Sequence, residues 1–166
     1  MSKYSNTVIH GWTIFAHPLF LDHVEALIEQ VEDLKAKDSI NYVKKNASKR
    51  LAAIAELAFD VIPVDPTTPA YRQGSTLSDE HKHWFLAKFF QQYRLFFRFD
   101  STAKIIVYCW VNDEKNKKAY GSKTDAYRVF EKMLENGNPA NNWDQLLKES
   151  ESGLARLTDL STKFME

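Results

Sequence analysis

The sequence holds one cysteine, five glycines and no net charge, and each scarcity closes a route. With Cys109 alone, no disulfide can form within the chain. The glycines are scattered, so there is no phosphate-cradling run of the nucleotide-binding kind. No apolar run approaches the roughly 18 residues that a membrane span requires. The opening MSKYSNTVIHGW has no signal-peptide hydrophobic segment, so a soluble, cytoplasmic protein without membrane partners is expected. Acidic pairs suited to sugar chemistry are missing, because Asp113-Glu114 reads as loop. His81-Lys82-His83 lacks carboxylate or cysteine companions at ligand spacing, so neither a metal nor a cofactor is expected.

What the chain does have is aromatic mass: eleven Phe, seven Tyr and four Trp within 44% hydrophobic content, enough for a real core. Its neutrality conceals an uneven spread. Residues 82–132 hold eleven Lys or Arg against five acids, whereas 134–166 hold three against six. A basic segment of this kind is compatible with a polyanionic partner, although charge counts alone favour a solvated surface.

In chain order, Gly11 to Ala16 reads as a short strand stopped by His17-Pro18. Phe20, Val24, Leu27, Ile28, Val31 and Leu34 then recur at helical spacing with acids between them. Asp38-Ser39 offers a cap for a second helix marked by Ile40, Val43, Ala47, Leu51, Ile54 and Ala58. Lys44, Lys45, Lys49 and Arg50 are expected on its surface, and Pro63 is expected to end it near Val61. Pro63 to Glu80 has no periodicity and reads as a long loop carrying Arg72. Trp84 to Phe90 reads as a strand. After the hairpin described next comes a polar loop, then a helix capped by Ser122 or Thr124, with Tyr127, Phe130 and Leu134 inward and Gly137 at its end. Trp143, Leu146 and Leu147 mark a short helix. The segment from Gly153 is expected to be helical or frayed.

The chain is organised around YRLFFRFDSTAKIIVYCWVND, residues 93–113. Tyr93, Leu95, Phe97 and Phe99 alternate with Arg94, Phe96 and Arg98, because strand side chains repeat every two residues. Asp100 to Ala103 supplies turn chemistry, and Ile105 to Val111 is an apolar strand of the doubly covered kind. The expected fold is a compact α+β domain over 1–152, with a mostly antiparallel sheet, helices on one face and a C-terminal extension over 153–166. Arg94 and Arg98 would then stand about 13 Å apart on one sheet face. Guanidinium groups there can grip phosphates while adjacent aromatics stack bases, but a structural ion-pair role stays equally open.

Tyr93-Arg94-Leu95-Phe96-Phe97-Arg98, followed by a hairpin and a basic loop with a tyrosine, resembles the RelE/ParE superfamily of bacterial toxins, and within it the YhaV-type branch. The likeness includes Gly11-Trp12, Ala16-His17-Pro18, Pro69-Ala70-Tyr71-Arg72, Trp110-Val111-Asn112-Asp113-Glu114 and the stretch from Tyr120 to Tyr127. It implies a RelE-like domain acting as a metal-independent endoribonuclease on mRNA, with a cognate antitoxin of AbrB type and operator DNA bound through the toxin–antitoxin complex. By that resemblance Arg94, Lys88 and Tyr120 are the expected catalytic residues. Arg98, Arg72, Lys117, Lys118, Lys123 and Tyr127 are the expected RNA contacts. Leu86 stands where many superfamily ribonucleases have another base, and Asn112-Asp113-Glu114 where a basic residue is usual. A non-catalytic alternative is a ParE-like toxin that blocks a protein target such as gyrase.

Overall fold

The computed structural model describes residues 7–73, 77, 79–113 and 125–165. Five strands form one sheet: β1 (Thr7–Ile9), β2 (Trp12–Ala16), β3 (Phe85–Phe89), β4 (Tyr93–Asp100) and β5 (Ile105–Val111). Their order is β1-β2-β5-β4-β3, antiparallel except where β2 lies parallel to β5. The α+β class and mostly antiparallel sheet expected from the sequence are what the chain adopts. β1 is additional. It turns back through His10 and Gly11, both at positive φ, which a hairpin of this tightness requires.

The helices are α1 (Pro18–Lys37), α2 (Asn46–Glu56), α3 (Ile62–Val64), α4 (Ala126–Glu135), α5 (Trp143–Glu151) and α6 (Leu154–Met165). None described is long and apolar enough to cross a membrane. Their placement corrects the expectation of one covered sheet face, because side chains from both faces enter separate cores. Leu95, Phe97, Ile106 and Tyr108 pack with α1, α2 and α6. Leu86, Phe96, Val107 and Cys109 pack with α4 and α5. The continuous apolar run of β5 is what double cover demands.

A register shift lets Phe96 pair with Trp110 but Phe97 with Tyr108, so Cys109 is the extra residue of a bulge. Cys109 and Trp110 therefore both enter the second core. Phe130 of α4 stacks on Phe96 at 4.2 Å and on Trp110 at 5.7 Å, and meets Trp84 edge-on at 5.0 Å. This one ring fixes α4 against the sheet.

Several local expectations need correction. The second helix begins at Asn46, and Ile40 and Val43 lie exposed in the link before it. Asp38 instead accepts from the Ile40 and Asn41 amides in that link. Pro63 does not end the helical path. A wider turn over Leu57–Val61 closes with Ile62 N–H donating to Leu57 O, and α3 continues through the proline. Such a turn re-routes the bonds that proline cannot make. The cap of α4 is Asp125, which accepts from Tyr127 N; Ser122 and Thr124 lie outside the described residues. Gly137, at φ +80°, closes the far end.

Candidate active site

β4 brings Arg94 to the rim of the second core, beside the turn joining β3 to β4. It is 5% exposed and no carboxylate pairs with it among the described residues. Its Nε donates to Tyr127 Oη at 2.9 Å, and the Tyr127 ring lies 5.7 Å beneath the guanidinium. Nη1 donates to the carbonyls of Gln91 at 2.7 Å and Tyr93 at 2.9 Å. Nη2, with two donors, makes no hydrogen bond to a described residue. The group is thus gripped along one edge while no described carboxylate cancels its charge.

Tyr127 reaches Arg94 because it lies three residues before Phe130 on the same helix face, and Phe130 is anchored to the sheet. Lys88 is the direct cross-strand partner of Arg94 in the β3–β4 register, and it is exposed. Directly opposed strand residues share a face, so the structure brings together Arg94, Lys88 and Tyr127. Tyr120, Lys117, Lys118 and Lys123 lie outside the described residues.

Arg98 and Arg72 are placed elsewhere. The Arg98 guanidinium lies between the rings of Trp84 at 5.4 Å and Trp143 at 5.2 Å, and Nη1 donates to Asn141 O at 2.8 Å. Burial lowers its pKa from arginine's ordinary value, with the Cys109 thiol acting in the opposite direction; it still remains a cation. This side chain rivets α5 to the sheet. Arg72 is exposed and bridges to Phe85 at the outer edge of β3. Phe85 lies three residues from Lys88, about 10 Å along the strand. Leu86 is buried in the second core, so no base could occupy that position at this site without losing the packing.

Other contributors had weaker signals. Asn112, fully buried, accepts from Arg94 N at 2.7 Å and donates to Gln92 O at 3.0 Å. Its side chain prolongs the sheet ladder beyond β5 and fixes the start of β4, a role that its place in the family likeness did not reveal. Arg50 corrects the expectation of a surface cation. It is 5% exposed on the opposite sheet face, 4.7 Å over Tyr93, with Nη2 donating to His23 Nε2 at 3.5 Å. Burial, aided by the Arg50 charge and opposed by Asp113, lowers the His23 pKa to about 4. His17 caps α1: Nδ1 accepts from Leu19 N, so the proton on Nε2 is donated to Glu149 Oε1 at 2.9 Å. Burial lowers its pKa against the pull of Glu149.

Residues 14–151 match the family profile described as a toxin with endonuclease activity, of a toxin–antitoxin system. The ribonuclease toxin YhaV of Escherichia coli strain K12 is 44% identical over 145 residues, covering 86% of this chain and 94% of the relative. Toxin YhaV of Escherichia coli O157:H7 matches to the same extent. No solved structure matches the chain.

Proposed function

Because the chain belongs to the YhaV family of endonuclease toxins, we propose that it cleaves mRNA without a metal, by attack of a ribose 2′-oxygen on the adjacent phosphorus. The P–O5′ bond breaks as the P–O2′ bond forms, leaving a 2′,3′-cyclic phosphate and a free 5′-hydroxyl. The 2′-OH gives up a proton and the departing 5′-oxygen takes one, while negative charge builds on the phosphate oxygens. The observation that carries this reading is the state of Arg94: held in place by Tyr127 and two carbonyls, with no carboxylate partner among the described residues, opposite an exposed Lys88.

In this mechanism Arg94 presents Nη2 to a phosphate oxygen and Lys88 adds a second positive charge. Tyr127 positions the guanidinium. Arginine stays protonated and cannot be the base; Tyr120 is assigned the proton donor, since a phenol of ordinary pKa near 10 suits the acid role at neutral pH. Arg98 keeps the framework role its two tryptophans give it. The cognate antitoxin is assigned to the AbrB type on family resemblance, with operator DNA bound by the complex.

The test is incubation of the purified chain with defined RNA in chelator, with and without translating ribosomes. The expected products end in a cyclic phosphate, and Arg94→Ala loses at least about tenfold in rate, a floor below the roughly hundredfold that loss of one transition-state donor brings. Cleavage that depends on added divalent ion, or an Arg94→Ala variant as fast as the parent, would defeat the proposal. No cleavage together with blocked gyrase would favour the ParE-like alternative.

A further inference from the structure

The turn between β3 and β4 holds Phe90 and Gln91 at φ +46° and +62°. Glycine and asparagine adopt such left-handed backbone at least cost, and a bulky ring is an outlier there. His10 and Lys104 share the positive φ, but neither is a large apolar ring. Core packing does not account for the choice. Phe90 is 51% exposed and meets Phe89 edge-on, at 5.6 Å and 67°.

The same turn is wired to the candidate site. Gln91 O accepts from Arg94 Nη1, and Gln92 O accepts from Asn112 Nδ2. Lys88, opposite Arg94, precedes Phe90 by two residues, about 7 Å of extended chain. A rigid, half-exposed ring is therefore held near two cations by a backbone shape that costs stability. Strain of this kind persists where the surroundings enforce it, which is often at functional sites.

We propose that Phe90 is a stacking platform for an unpaired base beside the scissile phosphate, so that the substrate is single-stranded RNA. The proposal rests on the RNA-cleaving function above. Stacking on an aromatic ring needs a base released from a duplex. It tolerates every base, because each has a π face, and so it sets the position of the strand rather than its sequence.

Phe90→Asn deletes the ring and gives the turn a residue suited to left-handed backbone. The probe is single-stranded 2′-O-methyl RNA carrying 2-aminopurine, which cannot undergo 2′-oxygen attack. The parent chain is expected to quench its fluorescence, and Phe90→Asn to lose the quenching and bind about tenfold more weakly, the order that removal of one base–aromatic stack brings. The variant's melting temperature should hold or rise, and Phe90→Trp should retain quenching. On cleavable RNA the loss should fall mainly on KM. Unchanged affinity and quenching in Phe90→Asn would overturn the proposal, and weakened antitoxin capture alone would reassign the ring to a protein interface. Quenching by a parent chain that fails to cut RNA would support stacking while removing the nuclease mechanism.

Discussion

Tyr127 is the side chain through which the second core reaches the candidate site. Its ring meets Phe96 edge-on at 6.1 Å, and its hydroxyl oxygen accepts a hydrogen bond from Arg94 Nε. Tyr127→Phe keeps the ring and removes that acceptor, leaving a buried donor unsatisfied at a cost of about 1–3 kcal/mol. The expected outcome is a modest fall in urea midpoint together with a several-fold loss of RNA cleavage, as Arg94 loses its orientation. Undiminished cleavage in Tyr127→Phe would show that the two carbonyls suffice. Cys109, by contrast, has no part in the chemistry. It is fully buried in the bulge, and burial raises its pKa well above the ordinary thiol value, so it is an inert filler of the core.

Among the elements, α6 is more than an appendage. Leu157 and Leu160 are buried in the first core, and Arg156 joins Asp22 and Glu25 of α1. Leu157→Ala should cost about 2–5 kcal/mol, and ending the chain at Gly153 should abolish a cooperative thermal transition. A truncated chain melting as sharply as the parent would refute this account. Most elements were legible in the sequence: α1, α4 and β4 by their period, β5 by its continuous apolar run, and β2, β3 and α5 as short apolar segments. β1 is only three residues long, too short for alternation to register. The helix through Pro63 depends on a wider turn that no residue pattern announces. Arg50 looked solvent-facing because its burial is a tertiary matter, set by Tyr93 arriving from a distant strand. At the site, Arg94 and Lys88 could be read from alternation and family likeness. The hold of Tyr127, Asn112 and Gln91 on Arg94 could not, because it joins side chains and carbonyls across three segments.

At the scale of the whole molecule, a sheet between two cores has a buried arginine on each face near one end, Arg94 of β4 toward α4 and Arg50 reaching from α2 over Tyr93. Neutral His23 beside Arg50 makes the fold sensitive to acid. Its folded pKa of about 4 lies below the ordinary 6.5, so below pH 6.5 the unfolded chain takes up a proton that the folded chain refuses. Stability is complete above that pH and falls as pH drops toward 4, by on the order of 3 kcal/mol from this group. His17, whose pKa burial also lowers, acts in the same direction. The urea midpoint should therefore decline between pH 7 and 4, and His23→Gln should flatten part of that slope; a flat profile in the parent would contradict the burial of His23. The parallel pairing of β2 with β5 has a separate consequence during synthesis. Thr13 must wait for Ile105, so a nascent chain that ends at Asp100 has two hairpins and no central strand between them. Arg94 has then been made, but neither Asn112 nor Tyr127 exists to hold it. In that order the hold on Arg94 is completed only once most of the message has been read.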